Sequence, residues 1–177
     1  MSGGRLIYER KQNAEAHLPE KKRELVLPEK SEDMKKVFAY LCKTRMIKPD
    51  IVSELAKSGL LYQDKKGNAV FVHKDDSGKI IGAEIQGTNS FQRFKGVAPG
   101  TSESVFTFKL CDKPNSCYVF ESAIDLLSFK QLANPEKIKN SMLVSMAGLK
   151  PNTLKNLAES GVKLYSCVDN DEAGIKF

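Results

Sequence analysis

The chain has 177 residues, 41% of them hydrophobic, enough for one domain or two small ones, and no stretch approaches the roughly 20 apolar residues of a membrane span. Its start, Met1-Ser2-Gly3-Gly4-Arg5, lacks the apolar core of a secretory signal, so a cytoplasmic protein fits. The net charge of +6 is unevenly placed: basic against acidic residues number 7 to 5 over 1–30, 14 to 10 over 31–115, and 7 to 7 over 116–177. Four cysteines, Cys42, Cys111, Cys117 and Cys167, are too scattered for a CxxC metal site or a disulfide framework. Cys111 and Cys117 can pair in an oxidising compartment or serve as reduced packing residues.

Residues 1–30 alternate Lys, Arg and Glu with few apolar positions, and read as a charged arm or linker with a short helix around Glu9–His17. Ser31 is placed to cap a helix whose buried stripe is Met34, Val37, Phe38 and Leu41. A second helix is expected from Pro49, with Ile51, Val52, Leu55 and Ala56 inward and Gly59 as its stop. Lys43-Thr44-Arg45 forms the joint of this helical hairpin.

The period then shortens. Leu60–Tyr62, Ala69–His73, Lys79–Gln86 and Val105–Lys109 read as strands of an antiparallel meander, with Lys65-Lys66-Gly67-Asn68 and Asp75-Asp76-Ser77-Gly78 as turns. Ser90–Ser104 is expected to be a long exposed loop. From Ser116 the rhythm becomes β-α-β-α-β: strand Cys117–Phe120, helix Ala123–Ala133, strand Ser141–Ser145, helix Asn152–Ser160 and strand Val162–Val168. That alternation predicts a parallel sheet. The expected order is a charged arm (1–30), an α+β portion (31–115) and an α/β portion (116–177) that stops at Phe177 where a third helix should begin.

Two apolar strands end abruptly in carboxylates, at Phe120-Glu121-Ser122-Ala123-Ile124-Asp125 and at Val168-Asp169-Asn170-Asp171-Glu172-Ala173-Gly174. Ser122 and Asp125 have the spacing of a helix cap with a carboxylate in the first turn. Asp169 and Asp171 are two apart, so in extended backbone they point the same way. In an open parallel sheet ligands bind at the carboxyl ends of strands, and strands about 4.8 Å apart would bring Glu121, Asp169 and Asp171 together. Oxygen donors of this kind suit Mg²⁺.

These signatures, with Met146-Ala147-Gly148-Leu149 after the central strand, resemble the Toprim domain of bacterial primases, topoisomerases, OLD-family nucleases and recombination mediators. The segment from about 36 to 110 is similar to the domain preceding Toprim in primase-like proteins of plasmids and other mobile elements. Its cues are Tyr40-Leu41-Cys42-Lys43-Thr44-Arg45, Gly59-Leu60-Leu61-Tyr62 and Val70-Phe71-Val72-His73. The resemblance implies an α+β N-terminal portion followed by an α/β, Rossmann-like Toprim sheet, incomplete at the C-terminus.

It further implies a primase-like, Mg²⁺-dependent (or Mn²⁺-dependent) phosphoryl-transfer protein, a nucleotidyltransferase or nuclease, in replication or mobilisation of a mobile element. Single-stranded or template DNA and nucleotides are the implied partners, within a larger protein or replication complex and with no membrane. Glu121 takes the role of acid/base or metal ligand, and Asp169 and Asp171 those of metal ligands. Lys43, Arg45, Lys74, Arg93 and Lys95 are candidate phosphate contacts, and Phe91 and Phe94 either stack bases or anchor their loop. The chain departs from the family in three ways: Ser122 replaces the usual glycine, no zinc-ribbon cysteines precede the domain, and the further acidic residues of the next strand are missing. Two other functions stay open: a non-catalytic nucleic-acid-binding Toprim module, and a metal-dependent phosphatase-like α/β enzyme with a closed, substrate-sized pocket.

Overall fold

The computed structural model describes residues 24–101 and 103–176, so the expected helix at Glu9–His17 lies outside the described residues. Helix α1 (Lys35–Ala39) runs into a π-helical turn (Tyr40–Thr44) closed by Arg45 N–H donating to Tyr40 O at 2.9 Å. Helix α2 (Pro49–Lys57) starts on its proline and buries Ile51, Val52 and Leu55, each burial worth about 1.5–3 kcal/mol. It stops at Gly59, whose φ of 66° needs no Cβ penalty. Ser31 does not cap α1. Gln63 does so from a strand: its Oε1 accepts the N–H groups of Lys36 and Val37 at 2.9 and 3.1 Å, while Ser31 Oγ accepts from Gln63 Nε2.

The first sheet has the order β1-β2-β3-β4, with β1 (Leu61–Gln63), β2 (Ala69–Lys74), β3 (Ile80–Gln86) and β4 (Lys95–Val97), all neighbours antiparallel. Strand β4 lies inside the segment expected to be loop. Strand β5 (Phe106–Lys109) was expected in this meander and instead pairs antiparallel with β7 in the second sheet. Alternation at Phe106 and Phe108 sets which face is buried, but not which sheet a strand joins. Both rings are buried, and Phe106 meets Phe71 of β2 edge-on at 5.4 Å.

The second sheet has the order β5-β7-β6-β8, with β6 (Ser116–Phe120), β7 (Ser141–Ser145) and β8 (Lys163–Ser166). Strand β6 pairs parallel with both β7 and β8, so the sheet is parallel except for β5. Helices α3 (Ala123–Leu132), α4 (Pro135–Ile138) and α5 (Pro151–Glu159) supply the crossovers, and α6 (Glu172–Lys176) follows β8. One core joins the two halves, running from Leu41, Leu55 and Phe71 through Phe106 to Phe120, Ile124, Leu127 and Leu143. The four cysteines are free, and among the described residues no helix is long and apolar enough to cross a membrane.

Candidate metal and nucleic-acid site

Strands β6 and β8 run parallel as neighbours, so the carboxylates that follow them lie at the same edge of the sheet. The register carries past the last ladder pair through Cys167 N–H donating to Val119 O at 2.8 Å. Two residues on, Asp169 N–H donates to Glu121 Oε1 at 3.0 Å. Glu121 is half-buried, and Asp169 and Asp171 are exposed. The loop after β7 closes on the same edge: Met146 N–H reaches Phe120 O at 3.0 Å and Gly148 N–H reaches Glu121 O at 2.8 Å. It does so through left-handed backbone at Ala147, φ 55°, and Gly148, φ 116°.

Ser122 is the N-cap of α3, its Oγ accepting from Asp125 N–H at 3.3 Å and donating to Asp125 Oδ2. Asp171 has a similar task, since its Oδ1 accepts Gly174 N–H at 2.8 Å at the start of α6. A Cβ at Gly174 would collide with Asp169 O, so a glycine is required where α6 folds back on the Asp169–Asp171 turn. Among the described residues no three His, Cys, Asp or Glu side chains converge as a ready-made metal cage. The donor set still fits Mg²⁺, which needs only one or two carboxylates alongside water and phosphate oxygens. Among the described residues, Asp171 Oδ2 and Glu121 Oε2 accept no hydrogen bond that would compete with that use.

The candidate cations are dispersed. Lys95 on β4 stands close enough to the buried Glu84 for its charge to act on that carboxyl. Lys43 and Arg45 lie by the π-helical turn, and the neighbouring Met46 O accepts from Gln131 Nε2 at the C-terminal end of α3. Glu121 precedes the opposite end of that ten-residue helix, about 15 Å away at 1.5 Å per residue. Lys74 donates to Ser58 O at 3.1 Å, at the C-terminus of α2. Arg93 and Phe91 are exposed on the β3–β4 hairpin, where Phe91 touches no core. Phe94 is half-exposed and packs its Cβ 3.1 Å from where a side chain on Gly87 would begin.

Three residues beside this edge have no local sequence signal. Glu84 of β3 is fully buried, and its carboxylate accepts Ala123 N–H at 3.1 Å and Ser145 Oγ–H at 2.7 Å. Burial pushes its carboxyl up from the ordinary range; the bonds from Ser145 and Ala123 and the charge of Lys95 oppose the rise, and Asp125 adds to it. Lys150, at the start of α5, donates to Ser104 O at 3.2 Å, and burial pushes its ammonium down. His73 is fully buried with Nδ1 2.9 Å from Ser104 Oγ and with Nε2 lacking a partner among the described residues. Burial first, then the charge of Lys150, bring its imidazole down to about 3. Two cavities, of about 370 Å³ around Tyr118, Lys137, Lys163 and Tyr165 and about 390 Å³ around Val26, Ile85 and Phe94, include none of the acidic-edge residues.

Residues 118–177 match the Toprim-like family, and residues 39–114 match the family described as protein of unknown function DUF3991. An uncharacterised protein of Bacillus anthracis is 34% identical over 152 residues, covering 78% of this chain and 44% of that protein. A 65 kDa protein of Zymomonas mobilis is 36% identical over 119 residues, covering 63% of this chain and 20% of its own length. The chain thus spans less than half the length of these curated relatives. Among solved structures, the RNA polymerase domain of Mycobacterium tuberculosis primase DnaG is similar in fold, with a TM-score of 0.51 at 14% identity, covering 81% of this chain and 62% of that one. The primase fragment of the bacteriophage T7 primase-helicase protein gives 0.51 at 21% identity, covering 76% and 56%.

Proposed function

We propose that this chain, which carries a Toprim-like domain at residues 118–177 behind a DUF3991 domain at 39–114, is a primase-like, Mg²⁺-dependent phosphoryl-transfer protein of the nucleotidyltransferase type. Its substrate is single-stranded or template DNA, in the replication or mobilisation of a mobile element and within a larger cytoplasmic assembly. The units are a charged arm over 1–30, an α+β domain over 31–115 and the Toprim part over 116–177. The observation that carries this reading is the meeting of Glu121 and Asp169 from adjacent parallel strands at one carboxyl edge, joined by a 3.0 Å hydrogen bond.

Asp169 and Asp171 hold the ion, with Glu121 as the third ligand or as the group that moves a proton at Oε2. When bound, Mg²⁺ supplies charge neutralisation on phosphate oxygens and their orientation for in-line displacement. Glu121 is kept in place through its own backbone, by the bond from Gly148, and through its side chain, by the bond from Asp169. Lys95, whose charge reaches Glu84 beside the acidic edge, and Arg93 on the adjoining hairpin recruit phosphate, and Phe91 offers an aromatic face to an unpaired base. Lys43, Arg45 and Lys74 contact phosphate further from the edge.

The test is melting temperature against MnCl₂ for the wild type, Asp169→Asn, Asp171→Asn and Glu121→Gln. Metal should stabilise the wild type by linkage and fail to stabilise the two asparagine variants, with Glu121→Gln affected least. If both asparagine variants respond as the wild type does, the aspartates are helix caps only. The hydrogen bond from Gly174 to Asp171 is the feature that favours that second reading, a DNA-binding module without metal chemistry.

A further inference from the structure

Glu84 belongs to the antiparallel sheet, yet among the described residues its carboxylate bonds only to the α/β half, to the start of α3 and the end of β7. Ala123 N–H lies 3.1 Å from both of its oxygens, and Ser145 Oγ donates to Oε2 at 2.7 Å. Ala123 is the first residue of α3, two positions after Glu121, and Ser145 is the last residue of β7, next to the loop whose Gly148 N–H holds Glu121 O. The same Ser145 Oγ accepts Ala147 N–H at 3.3 Å, inside that loop. One buried carboxylate therefore grips the backbone on the downstream side of Glu121 and the strand end beside it.

Capping alone does not account for it. Helix α3 already has Ser122 as a local cap, and burying an acidic group is a costly way to satisfy one more N–H. Groups gathered round it offset part of the cost of burial: Lys95 from β4, Lys150 from the start of α5 and the positive end of the ten-residue α3, with Asp125 opposing. A residue so placed and so supported constrains how the two sheets meet at the acidic edge.

We propose that Glu84 is a positioning residue for that edge: reaching across from β3, it fixes the β6–α3 turn against the end of β7 and so aims the Glu121 carboxylate at Asp169. This rests on the proposed function only for the use to which Glu121 is put; the positioning itself is readable without metal.

The experiment is amide exchange with water, followed by NMR in the metal-free 177-residue chain. The Asp169 N–H reports the Glu121 bond, Ala123 N–H the Glu84 bond, and Val144 N–H in β7 the stability of the sheet. The variants are Glu84→Asp, one methylene shorter, and Glu84→Gln, which keeps an acceptor at full reach. Val70→Ala, in the separate apolar cluster beneath the first sheet, serves as a control for general loosening. In Glu84→Asp, exchange at Asp169 and Ala123 should rise roughly tenfold relative to Val144, whereas Glu84→Gln should stay within about threefold of wild type. Val70→Ala should move all three amides together.

If Asp169 and Val144 speed up in step in Glu84→Asp, Glu84 only stabilises the fold and the proposal is overturned. Should Glu84→Asp not fold, Ser145→Ala removes one of the two donors: selective loss at Asp169 and Ala123 supports the proposal, and unchanged relative rates overturn it. A wild type that ignores Mn²⁺ would sink the metal reading while leaving these exchange rates to decide Glu84.

Discussion

His73 offers the sharpest quantitative test of how the two sheets are joined. Its ring is fully buried in β2, with one nitrogen against Ser104 Oγ, the other without a partner among the described residues, and Lys150 near enough to repel a proton. The imidazole is thereby held neutral, titrating at about 3 in the fold against 6.5 ordinarily. A folded value below the unfolded one means that the unfolded chain binds the extra proton between those limits. Stability from this group is thus present above pH 6.5 and lost as pH falls toward 3. At 1.36 kcal/mol per pH unit, acidification from about pH 7 to about pH 5 should remove about 2 kcal/mol, or roughly 4–8 °C in Tm for a chain of this size. Glu84 works in the opposite sense: its raised folded value adds stability as pH falls, so wild type alone does not isolate the histidine. The measurement is urea unfolding at both pH values for wild type and His73→Asn, whose amide can still meet Ser104 but does not titrate. The variant should be less stable near neutrality through lost packing, yet about 2 kcal/mol less sensitive to acid. Equal acid sensitivity of the two proteins would refute a buried neutral His73.

Gln63→Ala should destabilise by about 1–2 kcal/mol in urea unfolding, because two N–H groups of the first turn of α1 lose their acceptor; a loss below about 0.3 kcal/mol would mean that water replaces it at no cost. Gly174→Ala should open the Asp169–Asp171 turn, since the added Cβ meets Asp169 O, and should reduce Mn²⁺ stabilisation as Asp169→Asn does; an unchanged metal response would show that α6 does not shape the ion site. Lys95→Glu should weaken single-stranded DNA binding and flatten its salt dependence by about one phosphate contact, whereas Arg45→Glu, at the far end of α3, should do so less. Equal effects in fluorescence-anisotropy titrations would place the strand along the helical hairpin rather than beside β4.

Much of the architecture was written in local pattern. The spacing of Ile51, Val52 and Leu55, the glycine at 59 and the alternation of short apolar strands with helices after Ser116 each identify an element through periodicity or turn chemistry acting over a few residues. The Ser122–Asp125 cap and the two strand-end carboxylates were legible for the same reason, and the parallel direction of β6 and β8 follows from the alternation of strands with helices. Tertiary structure alone decided which sheet β5 joined, because alternation specifies a buried face and not a partner. It also decided that Lys95-Gly96-Val97 forms an edge strand, that Gln63 caps a helix 27 residues behind it, and that Asp171 turns one oxygen to α6. In Ile80–Gln86, Glu84 reads as one polar residue in an alternating strand. Its partners lie 39 and 61 residues away, where only the meeting of two sheets could place them, and burial then turned an ordinary glutamate into the group that ties the sheets together.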